Sequence, residues 1–86
     1  MRHATGAALD RLEDLLRQVR RRHPELTERK RGSFYRGGRA WLHFHEDLAG
    51  LFADLKAADA WSRFPVNSAG ERASLLKRLA ETLDGG

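Results

Sequence analysis

The chain has 86 residues with 16 basic and 12 acidic side chains, which gives a formal net charge of +4 at pH 7. It contains no cysteine, and this excludes disulfides, thiolate catalysis and cysteine-based zinc sites. No apolar run approaches the ~20 residues that a membrane-spanning helix needs, and acidic residues interrupt the segment where a signal peptide would be apolar. We expect one small domain with a thin core, a cytoplasmic location and no membrane association.

The basic residues are concentrated in one stretch of the chain. Residues 17–39 hold nine basic and two acidic side chains, a net charge of +7, so the remainder is mildly acidic. Thirteen of the basic residues are arginine and isoleucine is absent, a bias typical of GC-rich bacterial genomes. We therefore expect a bacterial protein and do not treat the arginine count alone as evidence of function.

A helix is predicted over about residues 6–22. Thr5 is a suitable N-cap, and Pro24 disfavours helical geometry at the residue before it. Between these two positions apolar residues recur at the spacing of one helical face: Ala8, Leu12, Leu15, Leu16 and Val19.

Residues 33–45 are predicted to form a β-hairpin. Gly37 and Gly38 lie between two aromatic-rich runs, and both accept the positive φ that a two-residue hairpin turn requires. The implied register pairs Phe34 with Trp41, and alternation sorts the side chains into two faces. The predicted core face carries Tyr35, Ala40, Leu42 and Phe44. The opposite face carries Phe34, Arg36, Arg39, Trp41, His43 and His45.

Residues 47–60 allow two interpretations. A helix would bury Leu48, Leu51, Phe52 and Leu55, but Gly50 in its interior costs ~1 kcal/mol. A strand over about residues 50–56 fits the alternation of apolar side chains there, and a hairpin needs a third strand for stability. We favour the strand, followed by an extended edge segment over about residues 61–66, because Pro65 cannot donate to a ladder.

A second helix is predicted over about residues 69–83, because Ser68 and Glu71 have the spacing of a capping box. Together the elements predict an α+β fold of order α-β-β-β-(β)-α, with the N- and C-terminal helices packed on an antiparallel sheet. The side chains expected in its core are Leu12, Leu16, Tyr35, Leu42, Phe44, Phe64, Leu76 and Leu79.

Three segments, residues 33–47, 50–55 and 63–66, carry a distinctive pattern of turn and hydrophobic positions with a His-Phe-His-Glu-Asp run. Through them the chain resembles a family of small bacterial proteins of unknown function with the pattern FYR-GRAFLHFHED–GLFAD–RFPV. The resemblance implies a strand at residues 51–55, because the related chains accept proline near position 48. It supplies no catalytic residues.

The sharpest candidate for chemistry is the pair His43 and His45. Alternate residues of a strand share a face, so the two imidazoles stand ~6–7 Å apart and can contact one metal ion or an anionic ligand. Either Glu46 or Asp47 is the candidate carboxylate as the strand ends. A zinc site needs at least three protein ligands. Because only a pair is evident, we expect half-buried, hydrogen-bonded histidines with no bound metal and no cofactor.

Nucleic-acid binding is a second alternative. Arg36 and Arg39 lie close to Phe34 and Trp41 in the sequence. The arginines would contact phosphates, and the aromatic rings would stack on bases. No recognised nucleic-acid-binding motif accompanies them, and a solvated arginine face accounts for the same residues.

Catalysis is not expected, because no serine lies in a nucleophile elbow and no glycine-rich loop precedes a helix as in a phosphate-binding loop. The preferred hypothesis is a non-enzymatic interaction or assembly module that forms a homodimer or binds an unidentified protein. Phe34 and Trp41, on the face opposite the core, would then form its exposed aromatic patch. The alternative is that one helix covers each face of the sheet.

Overall fold

The structure is a computed structural model that describes residues 2–85. Its elements are β1 (Arg2–His3), α1 (Gly6–Arg11), α2 (Glu13–Arg22), β2 (Thr27–Lys30), β3 (Ser33–Arg36), β4 (Arg39–Asp47), β5 (Gly50–Ala57), β6 (Ala60–Pro65) and α3 (Ala69–Gly85). The antiparallel sheet with helices packed on it confirms the predicted α+β fold, including a strand after residue 49. None of the helices in the described part of the chain is long and apolar enough to cross a membrane.

Strand β4 lies at the centre of the sheet. The strand order is β2-β3-β4-β5-β6, and β1 pairs with β4 off this path. Strand β3 pairs with β4 up to Ser33, which lies opposite His43. Beyond that point β1 pairs with the same edge of β4, with His3 opposite His45. Strands β1 and β2 were not predicted, because neither has the alternation of apolar residues that marks a half-buried strand.

The predicted continuous helix over residues 6–22 is wrong at one position. Helices α1 and α2 meet at Leu12, where φ is −99° and ψ is 1°. The amide of Leu12 donates to the carbonyl oxygens of both Ala8 (3.2 Å) and Leu9 (3.0 Å), so the chain tightens there. Leu12 itself is fully buried, and the break leaves the apolar faces of both helices on the core.

The hairpin turn is confirmed, since φ is +57° at Gly37 and +82° at Gly38. The predicted register is not kept beyond the turn, because Tyr35 lies opposite Ala40 while Phe34 lies opposite Leu42. Trp41 is therefore the extra residue of a β-bulge. A bulge of this kind lets two consecutive side chains of one strand point to the same side of the sheet.

The bulge overturns the predicted face assignment of Phe34 and Trp41. Phe34 is 1% exposed and Trp41 is 4% exposed, and both belong to the hydrophobic core. Tyr35, predicted in the core, is half-buried on the opposite face. A two-residue alternation without a bulge cannot reproduce this arrangement, because the extra residue inverts the faces on one side of it.

All the buried helical side chains pack against one face of the sheet, in a single cluster with the buried strand residues. The alternation in β5 is regular: Leu51, Ala53 and Leu55 are buried, whereas the residues between them are half-buried. The predicted core residues are confirmed except for Tyr35 and for Phe64, which is only partly buried. We call the second face of the sheet, which these buried helical side chains do not cover, the outer face.

The capping box of α3 is confirmed. The hydroxyl of Ser68 accepts the amide of Glu71 at 3.1 Å, and the Glu71 carboxylate accepts the amide of Ser68 at 3.0 Å. The same carboxylate accepts the amide of Asn67 at 2.8 Å. These bonds fix the chain where it leaves the sheet and enters the helix.

Candidate metal centre

Three histidines meet on the outer face. Strand alternation places His43 and His45 on the same side of β4, and the pairing of β1 with β4 brings His3 beside them. One ligand nitrogen from each side chain lies within 4.8 Å of the others. We call His3, His43 and His45 the histidine triad.

The imidazole rings of the triad contact one another directly. The ring of His3 stacks on that of His45 with 4.8 Å between centroids, and the centroids of His3 and His43 are 5.6 Å apart. The rings of His43 and His45 are 6.4 Å apart, the spacing expected for alternate residues of a strand. His3 therefore adds a third imidazole to the pair on β4, although it lies 40 positions before His43 in the chain.

Asp54 supports the triad from the neighbouring strand β5. Its Oδ2 atom lies 3.2 Å from Nε2 of His45. Arg63, opposite Asp54 on β6, donates from Nε to Oδ1 at 2.7 Å and from Nη2 to Oδ2 at 2.8 Å. These bonds lower the pKa of Asp54, so the carboxylate stays ionised and fixed in position beside His45.

The surroundings of His43 and His45 favour neutral imidazoles. Burial lowers the pKa of His43, and the neighbouring charges of His3 and His45 lower it further. Burial also lowers the pKa of His45, although the charge of Asp54 opposes this shift. The Nε2 atom of His43 is buried and has no hydrogen-bond partner within residues 2–85. Neutral imidazole with a free nitrogen lone pair is the form that binds a metal ion.

Asp47, one of the two carboxylates considered from the sequence, does not join the cluster, and neither does Glu46. It lies exposed at the end of β4, and its Oδ1 atom accepts the amide of Ala49 at 2.7 Å in the turn to β5. The cluster found among the described residues contains His3 in its place. Only the pairing of β1 with β4 reveals His3, because a two-residue strand has no sequence signal of its own.

Aromatic rings flank the triad across the outer face. The ring centroid of His43 lies 6.3 Å from that of Tyr35 and 5.4 Å from that of Trp61, which is 46% exposed. A cation accompanies each flanking ring: the Arg29 guanidinium is 4.4 Å from the Tyr35 centroid, and the Lys56 ammonium is 6.0 Å from that of Trp61.

The basic stretch is partly neutralised by the fold itself. Arg20 forms ion pairs with Glu13 at 2.7 Å and with Glu28 at 2.6 Å, and Arg31 pairs with Glu13 at 2.8 Å. These contacts connect α2 to β2 and the turn after it. Arg20 and Arg31, part of the basic stretch that suggested nucleic-acid binding, therefore form ion pairs within the fold.

The two arginines of the predicted nucleic-acid site, Arg36 and Arg39, lie opposite each other beside the hairpin turn. With Trp41 they line a cleft of about 640 Å³ between this turn and the C-terminal part of α3. Phe34 does not line it, because its ring belongs to the core. The structure therefore separates Arg36 and Arg39 from the rings exposed on the outer face.

The geometry and chemistry of the triad suit a transition-metal ion, since imidazole nitrogen is a preferred ligand of zinc, copper, nickel and iron. The triad supplies the three protein ligands that a zinc site needs, whereas a histidine pair alone supplies two. Comparison of the chain with protein-family models, curated proteins and solved structures finds no match.

Proposed function

We propose that this protein binds a divalent transition-metal ion of the zinc class through His3, His43 and His45. The observation that supports the proposal is the approach of three ligand nitrogens to within 4.8 Å of one another. Three protein ligands are the number found in open zinc sites. The half-buried setting of His43 and His45 lowers the pKa of both side chains, which reduces the competition from protons at these two ligands near neutral pH.

The triad needs only a local adjustment to bind an ion. Nitrogen ligands at ~2.0–2.1 Å from a tetrahedral zinc lie ~3.3 Å apart, so nitrogens now up to 4.8 Å apart must approach by ~1.5 Å. Rotation of the imidazoles about their side-chain bonds supplies movements of this size. His3, the partner of His45 across the strands, is exposed, so its imidazole can reorient at the surface.

A calorimetric titration tests the proposal. The protein, prepared without an added histidine tag and stripped with a chelator, is titrated with Zn²⁺ and separately with Ni²⁺. We expect one ion per chain, and loss of binding by at least tenfold in His43→Ala. The matched control is His23→Ala, because His23 lies after α2 and outside the triad. Equal binding by His43→Ala and the unaltered protein would refute the proposed site.

Binding of single-stranded nucleic acid is the second candidate, and a specific arrangement favours it. Tyr35 and Trp61 present rings on the outer face, each accompanied by a cation. Stacking on such a ring contributes ~1–3 kcal/mol per base. Phe34 and Trp41, the rings predicted to stack on bases, lie in the core. Tyr35 and Trp61 take their place in this proposal.

Fluorescence anisotropy with a labelled single-stranded oligonucleotide tests this candidate. We expect Trp61→Ala to weaken binding by tenfold or more and affinity to fall steeply with salt, because counterions are released when phosphates are neutralised. Arg21→Ala, on the exposed side of α2, is the control for loss of one positive charge. Equal weakening by both variants would indicate a purely electrostatic attraction and contradict stacking on the outer face.

The homodimer also remains a proposal, but it cannot use the patch first predicted for it. Phe34 and Trp41 are enclosed between the sheet and the helices. A dimer would need other apolar surface, and Trp61 is the large side chain exposed on the outer face. Light scattering of the unaltered protein and of Trp61→Glu distinguishes this arrangement from a monomer.

A further inference from the structure

We infer that a metal ion at the histidine triad keeps an open coordination position that faces solvent and binds a small oxygen-donor anion, such as a carboxylate or phosphate. This inference rests on the proposed function and specifies the ligand class of the same site. It follows from where the three nitrogens lie, from the absence of a fourth ligand in the cluster, and from the charge around it.

The three ligands all lie on one side of the sheet. His43 and His45 both project from β4 on the outer face, and His3 projects from the adjacent β1. An ion held by all three must lie on the outer-face side of the sheet, with the three nitrogens between the ion and the backbone. The remaining tetrahedral position then points away from the sheet, toward the side on which the buried helical residues do not pack.

No fourth protein ligand joins the three histidines among the described residues. The metal-binding cluster within residues 2–85 consists of the triad and does not include Asp54. Both carboxylate oxygens of Asp54 already accept hydrogen bonds from Arg63, at 2.7 and 2.8 Å. Asp54 therefore acts as a positioning residue for His45, in the manner of the carboxylates that orient metal-bound histidines.

The charges around the triad favour an anionic ligand. Three neutral imidazoles leave the whole charge of a divalent ion uncompensated, and the negative charge of Asp54 is balanced by Arg63. The nearby ammonium of Lys56, over the ring of Trp61, adds a further positive charge at the rim. The field at the open position therefore favours an anion over a neutral ligand.

The size of the ligand follows from the walls of the site. The ring of His43 has the rings of Tyr35 and Trp61 on its two sides, with centroids 6.3 and 5.4 Å away. These rings limit lateral access to the ion, while the direction away from the sheet is free of the helices. The open direction therefore favours a small anionic group, and a longer molecule attached to it would extend into solvent.

Cobalt substitution provides the test, because the visible bands of Co²⁺ are intense in four-coordinate sites and weak in six-coordinate ones. The protein is loaded with one equivalent of Co²⁺ and titrated with sodium acetate and then with inorganic phosphate. We expect four-coordinate bands whose positions shift with saturation as each anion replaces solvent at the open position. His43→Ala should lose the intense bands altogether, and His23→Ala should keep both the bands and the anion response.

Two outcomes would overturn the inference while leaving metal binding intact. One is a Co²⁺ spectrum that depends on His43 but does not respond to either anion, or that responds only because the anion removes the ion. The other is an Asp54→Asn variant that changes the bands without added anion and gains a new anion response, since Asp54 would then be the fourth ligand. If His43→Ala retains the spectrum of the unaltered protein, the proposed function itself fails.

Discussion

Replacement of Phe34 by alanine tests the inverted hairpin faces most directly. The ring is 1% exposed and belongs to the main hydrophobic cluster, and such large-to-small changes cost ~3–5 kcal/mol. At ~0.05–0.15 kcal/mol per residue, a chain of 86 residues has a total stability of about 4–13 kcal/mol. Phe34→Ala should therefore remove about a quarter or more of the free energy of unfolding, and Phe34→Leu provides a milder variant that stays folded.

The matched control is Tyr35→Ala, the next residue in the same strand. Its ring is half-buried on the outer face and contacts the Arg29 guanidinium at 4.4 Å, so we expect a loss of about 1 kcal/mol. Urea unfolding followed by circular dichroism measures both variants, and the midpoint should move while the slope stays constant. A larger loss for Tyr35→Ala than for Phe34→Ala would refute the bulge and restore the simple register.

Two further predictions concern the loop before β5 and the acid stability of the fold. Gly50 has φ of +128°, and a Cβ there would lie 2.6 Å from Oδ1 of Asn67. Gly50→Ala should therefore lower the free energy of unfolding by ~1–3 kcal/mol in a thermal unfolding measurement. An unchanged melting temperature would contradict this packing. Hydrogen bonds from Arg31 and then Arg20 lower the pKa of Glu13 to about 2, below its ordinary 4.5. Its contribution to stability is present above pH 4.5 and is lost as the pH falls toward 2. Glu13→Gln should therefore flatten the pH dependence of unfolding in that window, and an unchanged acid slope would show that these contacts do not stabilise the fold.

The sequence was sufficient for the elements with strong local signals. The capping box at Ser68 and Glu71, the paired glycines at the hairpin turn and the alternation in β5 each specify a conformation through contacts within a few residues. The same local signals were insufficient for Trp41. Its burial depends on a one-residue slip between two strands, and that slip is decided by how well the side chains fill the core.

The candidate site was predictable only in part, for the same physical reason. Strand alternation alone brings His43 and His45 to one face. The approach of His3 depends on β1 pairing beside the end of β3, a long-range contact that covers only Arg2 and His3. The loss of Asp47 as a ligand depends on the turn to β5, where its carboxylate caps the backbone of Ala49.

The two outermost strands of the sheet have a consequence for self-association. Strand β2 consists of a threonine followed by three charged residues, and β6 ends at Pro65, which has no amide hydrogen to donate. Charges and proline at an edge oppose the addition of a further strand, so continuous sheets between molecules are disfavoured. A homodimer that forms face to face over the outer face instead would cover the histidine triad. Metal loading and self-association would in that case be thermodynamically linked, with each changing the apparent affinity of the other by the same factor.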